Sequence, residues 1–296
     1  MKPDFISASP VAELPPAPFA APRWRWLRKH PTLIAGVLLL VIIAAISLAA
    51  PWLATQDPTS IDPLARMQSP SAAHYFGTDG LGRDVFSRTV WGGRVSMMVG
   101  LSVSIAATFL GVILGMLAGF VRWADGIIMR IMDGLMAIPS ILLAIALMAL
   151  IQGSLTTVIV AITIPEIPRV VRLVRSLTLT LREQLFVEAA RALGTRLPMI
   201  LWRHVLPNIV APLIVQATFV AATAVLTEAA LSFLGVGVPA TTPSWGNMMA
   251  DGRNYVAVAF NIMLYPGILL ALTVLAINMV GDGLRDALDP RSKVKV

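Results

Sequence analysis

From Leu33 to Ala54 the chain carries no charged side chain and almost no polar one. A run of about 22 residues makes a helix about 33 Å long, enough to cross a hydrocarbon core of about 30 Å. Further apolar runs follow at about Val95–Val121, Ile127–Ile151, Leu155–Val174, Ile209–Val238 and Val258–Val280. Inside lipid the backbone has no water to bond, so each run has to satisfy its own N–H and C=O groups as a helix. Hydrophobic residues make up 57% of the chain and charged residues 13%, where a soluble domain carries about 25% charged. The predicted fold class is therefore an all-α integral membrane protein with six transmembrane helices.

The fourth run is interrupted by Pro165, Glu166 and Pro168, which predicts a kink or an early exit into water. The segments then order themselves. Residues 1–30, proline- and alanine-rich up to Pro22, read as a mobile tail. Residues 31–54 are the first span and 55–94 a segment outside the bilayer. Residues 95–284 form the transmembrane core with a polar loop at 183–207, and 285–296 a second tail. The first run is longer than a signal-peptide core and has a long polar lead, so it is predicted to be retained.

Most of the 23 lysines and arginines fall on one side of this arrangement. With the N-terminus cytoplasmic, that side holds Lys2, Arg23, Arg25, Arg28, Lys29, Arg122 and Arg130, the arginines from Arg169 to Arg203, and Arg285, Arg291, Lys293 and Lys295. The other side keeps Arg66, Arg83, Arg88, Arg94 and Arg253 among the aspartates Asp57, Asp62, Asp79, Asp84 and Asp251. The positive-inside bias places both termini and the 183–207 loop in the cytoplasm.

Within that loop Glu188-Ala189-Ala190 is followed by Gly194, then His204, Leu206 and Pro207. Glu183 to Leu193 is rich in helix formers. Gly194 can end that helix with a left-handed backbone, and Pro198 fits the first turn of a second. A linker helix with no partner would carry the same features. Glu228-Ala229-Ala230 with Gly235 is a look-alike inside the fifth run, its glycine one position late. Glu228 itself is an acid well inside a span and must face protein or a wet cavity. Two readings stand: a residue lining the transport path, or a structural hydrogen bond to neighbouring helices. Asp133 with Arg130, and Glu166 with Arg169, are spaced as i,i+3 ion pairs. Gly111, Gly115 and Gly119 make a small-residue stripe for close helix packing, with the neighbour unspecified. Phe76–Arg88 is a glycine-rich turn with two aspartates and two arginines.

The Glu188–Pro207 pattern resembles the cytoplasmic EAA loop of membrane subunits in binding-protein-dependent ATP-binding-cassette importers. Gly77-Thr78-Asp79 with Gly82-Arg83-Asp84 resembles the extracytoplasmic signature of dipeptide, oligopeptide and nickel permeases. So do Leu231–Met249 and Gly281–Arg291, and the C-terminal and Gly77–Asp84 runs resemble the second, C-type permease of the pair. The resemblance implies a type I importer permease fold whose coupling helix meets a separate ATPase through Glu188, Ala189, Ala190, Gly194, His204, Leu206 and Pro207. It implies a second permease, related but different, two ATPase subunits and a periplasmic or lipid-anchored substrate-binding protein. The chain would sit in a bacterial inner membrane among lipids and carry half of a path for peptides or similar small polar solutes. The family often has isoleucine at His204, which is given no proton-transfer role.

No nucleotide, metal or other cofactor is expected in this chain. A phosphate-wrapping loop needs Gly-Lys-Ser/Thr, and none of Lys2, Lys29, Lys293 and Lys295 follows a glycine. The absence of cysteine excludes disulfides and thiolate chemistry, and His30, His74 and His204 are far apart. The chain is thus expected not to be an enzyme, and nothing points to nucleic acid. An ion-driven secondary transporter, resting on Glu228 alone, and a non-transporting membrane scaffold are the competing readings.

Overall fold

The computed structural model describes residues 30–150 and 154–288. The N-terminal tail, the end of the third run at Ile151 and the chain from Asp289 onward lie outside the described residues. Helices dominate the described chain: α1 Pro31–Leu48, α2 Val85–Phe120, α3 Arg122–Met136, α4 Ser140–Leu150, α5 Leu155–Arg182, α6 Leu185–Ala192, α7 Leu206–Phe233, α8 Trp245–Gly252 and α9 Asn261–Leu288. Helical turns at Leu197–Ile200 and a π-turn at Leu201–Val205 lead straight into α7. Among the described residues four helical runs are long and apolar enough to cross a membrane: α1, α2, Leu197–Phe233 and α9. The pair α3 and α4 makes a fifth candidate, bent by 91°.

The glycine stripe of α2 finds its neighbour within this chain. A Cβ on Gly111 would lie 2.5 Å from Val170 Cβ, one on Gly115 2.7 Å from Val174 Cβ, and one on Gly119 2.6 Å from Thr178 Cβ. Only glycine lets the two backbones approach so closely. The residue numbers rise together, so α5 runs parallel to α2. Other contacts fix the remaining directions. Gly36 of α1 meets Met279 and Val280 of α9, and Gly283 of α9 meets Leu33, so α1 and α9 are antiparallel. Gly100 of α2 meets Val225 of α7, while Ser104 Oγ donates to the Ala217 carbonyl at 2.6 Å, so α2 and α7 are antiparallel. The main core lies between α2, α5 and α7, around Val99, Val103, Val158, Val170, Ile209 and Val220.

Four expectations change. The third run is two helices meeting at about a right angle, because Pro139 has no N–H to extend α3 and starts a new turn before Ser140. With α3 turned across the end of α2, Asp133 reaches Arg172 of α5 at 2.6 Å instead of pairing with Arg130 on its own helix. The fourth run neither exits early nor stops at its prolines. Helix α5 continues from Leu155 to Arg182 through Pro165 and Pro168, supported along its second half by the glycine stripe. The predicted pair Glu166–Arg169 forms, at 3.1 Å. Helix α2 also starts ten residues before the apolar run does, at Val85, because the Asp84 side chain caps it by accepting from Ser87 N at 2.8 Å.

Changing Gly115 to Val should overpack the α2–α5 contact and cost about 1–3 kcal/mol. The expected outcome is a lowered unfolding temperature in detergent, read by intrinsic tryptophan fluorescence. Gly126→Ala, where a Cβ would meet nothing within 4 Å, should leave it unchanged.

Candidate functional site

At the end of α2 and α5 the chain turns into the Glu188 loop. Helix α6 covers Leu185–Ala192 and stops where expected, with Gly194 at φ +74°. Thr195 N donates to the Ala190 carbonyl at 3.0 Å and Gly194 N to that of Arg191 at 2.9 Å. This closes the helix as a Schellman end, which needs a residue comfortable at positive φ. Val187 and Ala190 anchor one face of α6 in the core, whereas Glu188, Ala189 and Gly194 face outward. Glu188 makes no ion pair among the described residues. Pro198 sits in the first turn of the next helical segment, as predicted.

The continuation into α7 explains the π-turn. Leu206 and Pro207 lie in its first turn, and Pro207 lacks the N–H that an α-helix would direct back to Arg203. The wider turn over Leu201–Val205 absorbs this, and Asn208 Nδ2 donates to the His204 carbonyl at 2.7 Å. The His204 ring lies 6.3 Å from that of Phe186. Around this element Leu185 (81%), Leu193 (85%) and Trp202 (72%) are strongly exposed. Arg191 lies over the Phe120 ring at 4.7 Å, and Arg182 donates to the Gly119 carbonyl at 3.2 Å, tying the loop to the end of α2.

At the opposite end of α2 the glycine-rich turn is a buried ion network. Gly77 and Gly82 have φ of +77° and +80°, and a side chain at either would strike the Gln68 or Asp62 carbonyl. Thr78 Oγ1 donates to the Ala65 carbonyl and accepts from Gln68 N. Asp79 accepts from the amides of Leu81 and Arg83, at 2.8 and 2.9 Å, and from Arg83 Nε at 2.6 Å. Arg83 then reaches Asp251 at 2.7 Å, and Arg88 reaches the same carboxylate at 3.4 Å. Asp84 caps α2 and also takes His74 Nδ1 at 3.0 Å. On the surface of this region the Thr59 hydroxyl and amide donate to Asp57 at 2.6 and 2.8 Å and hold its carboxyl below the ordinary value.

Asp251, Trp245 and Asn247 are the residues that sequence reasoning missed. Asp251 entered only as a balancing charge, yet it links α8 to Arg83 and Arg88. Trp245 Nε1 donates to the Thr89 carbonyl at 2.9 Å. Asn247 Nδ2 lies 3.0–3.1 Å from the carbonyls of Val238, Pro239 and Thr242, which fixes the loop before α8. Trp245 and Asn247 fall within Leu231–Met249, a stretch noted for its resemblance as a whole, and nothing in the sequence singled out these two or Asp251 just beyond it.

Glu228 is fully buried and accepts from Ser96 Oγ of α2 and Ser232 Oγ of α7, both at 2.9 Å. Ser232 Oγ also accepts from Val238 N at 3.2 Å. Of the two readings left open, this geometry displays the hydrogen-bonded one. A cavity of about 850 Å³ opens between α1, α2 and α7, lined by Leu40, Trp91, Leu101, Ile214 and Val225 among others, and Glu228 is not in its wall. Among the described residues no group of His, Asp or Glu is placed to hold a metal ion.

A family profile described as the inner membrane component of binding-protein-dependent transport systems matches residues 107–294. A second, the N-terminal TM domain of oligopeptide transport permease C, matches 21–70. A probable peptide ABC transporter permease protein of Sinorhizobium fredii (strain NBRC 101917 / NGR234) is 52% identical over 269 residues, 91% of this chain and 92% of the relative. The dipeptide transport system permease protein DppC of Alkalihalophilus pseudofirmus is 45% identical over 271 residues, 91% of this chain and 89% of the relative. The glutathione transport system permease protein GsiD of Pectobacterium atrosepticum is 42% identical over 271 residues, 91% of this chain and 90% of the relative. Among solved structures, the inward-facing MetNI methionine ABC transporter matches with a TM-score of 0.56 at 22% identity, over 68% of this chain and 97% of that chain, a likeness of fold.

Removing Asp79 should leave the buried Arg83 and Arg88 with the partly exposed Asp251 as their one remaining carboxylate partner. Asp79→Ala is expected to cost about 3–5 kcal/mol, the order seen when one partner of a buried ion pair is deleted. Limited proteolysis of the purified protein should then cut within residues 55–84, where the unaltered protein resists.

Proposed function

The chain belongs to the family of binding-protein-dependent transport system inner membrane components, and from that premise we propose that it is one permease of a type I ATP-driven importer, with its 183–207 loop as the contact for a separate ATPase. The observation that carries the coupling assignment is the exposed knob at the end of α2 and α5. Leu185, Leu193 and Trp202 stand out of the protein where the chain turns between crossings, among Arg191, Arg196 and Arg203. Apolar side chains clustered on a surface outside lipid mark a protein contact. Glu188, Ala189 and Gly194 present a small, smooth outer face beside them.

The helix directions support a reading with six crossings. Because α2 and α5 run parallel, the chain between them has to return across the bilayer, and α3 with α4 is that return. Helix α5 then counts as a crossing although its arginines make it too polar by composition alone. The cluster of basic residues at the loop end of α2 supports a cytoplasmic position for that end and for both termini. The Gly77–Asp84 network and α8 then face outward, where a substrate-binding protein docks.

The relatives named for peptide, dipeptide and glutathione transport support a path for peptides or similar small polar solutes. Two permeases would enclose it, this chain and a related, non-identical one of the kind a C-type permease accompanies. Two ATPase subunits would drive it, closing together and tilting the crossings through their loops so that the path opens outward. The ion-driven alternative drew on Glu228, and that carboxylate is enclosed by serine hydroxyls.

In the double variant Glu188→Lys, Gly194→Trp, the carboxylate is reversed and a large side chain is forced onto a left-handed backbone. ATP-dependent peptide uptake and co-purification of the ATPase should both be lost, while membrane insertion and yield stay near those of the unaltered chain. Wild-type uptake by this variant would refute the coupling assignment.

A further inference from the structure

One face of α5 does not suit lipid. Arg169, Arg172, Ser176 and Thr180 follow one another along a single exposed stripe of that helix. Their neighbours Val170, Val174 and Thr178 sit against Gly111, Gly115 and Gly119. That register places Arg169 beside the middle of the uncharged run of α2, about 15 Å of helix short of Val121. Its side chain is 51% exposed in the chain taken alone. An arginine at this depth faces water or protein, never acyl chains.

The stripe borders the broken return. Arg172 donates to Asp133 of α3 at 2.6 Å, and the break between α3 and α4 follows at Ala137–Pro139, all of it exposed. Non-helical backbone at membrane depth is tolerated where it lines a water-filled cavity or is covered by protein. Two independent features, a polar helix face and an exposed helix break, therefore converge on one side of the subunit.

Within the stripe the arginines differ. Arg172 is engaged by the exposed Asp133. Arg169 spends one N–H on Glu166 at 3.1 Å, and Glu166 is itself buried, so its charge is turned away from the surface. The rest of the Arg169 fork has no partner among the described residues. A planar guanidinium with free N–H groups matches a carboxylate in bidentate geometry.

We propose that the Arg169–Thr180 face of α5 lines the cytoplasmic half of the translocation path, and that Arg169 is a transient binding site for the carboxylate of the passing solute. This rests on the importer reading and deepens it: the solute class would be small molecules bearing a free carboxylate, as unblocked peptides do.

The test uses the complete transporter, with partner permease, ATPases and binding protein, in proteoliposomes. The chain has no cysteine, so single cysteines report cleanly. Arg169→Cys and Ser176→Cys should react with a charged, water-soluble thiol reagent about ten-fold faster than Phe109→Cys, an exposed apolar position within the uncharged run of α2. Arg169→Gln should lower ATP-driven uptake of radiolabelled dialanine by about ten-fold, and Arg169→Lys should restore only part of it, because the charge is kept and the bidentate fork is lost. ATPase stimulation by the loaded binding protein should persist in both, which a merely misfolded variant would not allow. Labelling of Arg169→Cys and Ser176→Cys no faster than Phe109→Cys would overturn the path assignment. Dialanine uptake by Arg169→Gln at the wild-type rate would overturn the carboxylate site. If the unaltered transporter showed no ATP-dependent uptake, the importer reading itself would fall, while the labelling comparison would still decide whether the face is wet.

Discussion

The contact between the glycine stripe of α2 and the Val170–Thr178 stretch of α5 sets the geometry of everything else. In lipid, apolar helices gain little by hiding from a solvent as apolar as themselves, so close packing has to do the holding. Gly111, Gly115 and Gly119 permit that packing and set a parallel register. A parallel register obliges the chain to cross back between the two helices. It also brings the ends of α2 and α5 out together, so that the Glu188 loop emerges beside Gly119 and Phe120 and is tied there by Arg182 and Arg191.

The opposite end is held by polar chemistry. Asp79, Arg83, Arg88 and Asp251 share charges in a setting that excludes most water, and Asp84 joins helix capping to a bond from His74. Each carboxylate there serves more than one donor, so buried charge is compensated where it would otherwise be costly. Deeper in, Glu228 ties α2 to α7 through Ser96 and Ser232, and Ser232 in turn holds the loop before α8. Packing thus organises the loop end of the bundle and hydrogen bonding the other, with α2 common to both.

Much of this was legible in the sequence because its causes are local. Long apolar runs predict crossings, Gly194 predicts a helix end, and four-residue glycine spacing predicts close packing. What could not be read depended on residues distant along the chain. The partner of Asp133 is Arg172, chosen by the turn of α3 across α2 and not by spacing on one helix. The start of α2 at Val85 depends on an Asp84 cap whose orientation is set from His74. Pro165 and Pro168 argued for a kink or an early exit, and the glycines that pack against α5 just beyond them lie some sixty residues earlier in the chain. The roles of Asp251 and Asn247 could not be read from spacing, since their partners are backbone carbonyls and arginines brought close only by folding.

The unbroken helical stretch from Leu197 to Phe233 has a geometric consequence. Its 37 residues make a rod about 55 Å long, with one end in the Trp202 knob and the other at Gly235, beside α8. Moved as one piece, such a rod would convert a small rotation into a large displacement: tilting it by about 5° about one end would carry the other about 5 Å, the rise of one helical turn. The two ends of the bundle are therefore joined by a single continuous piece of backbone.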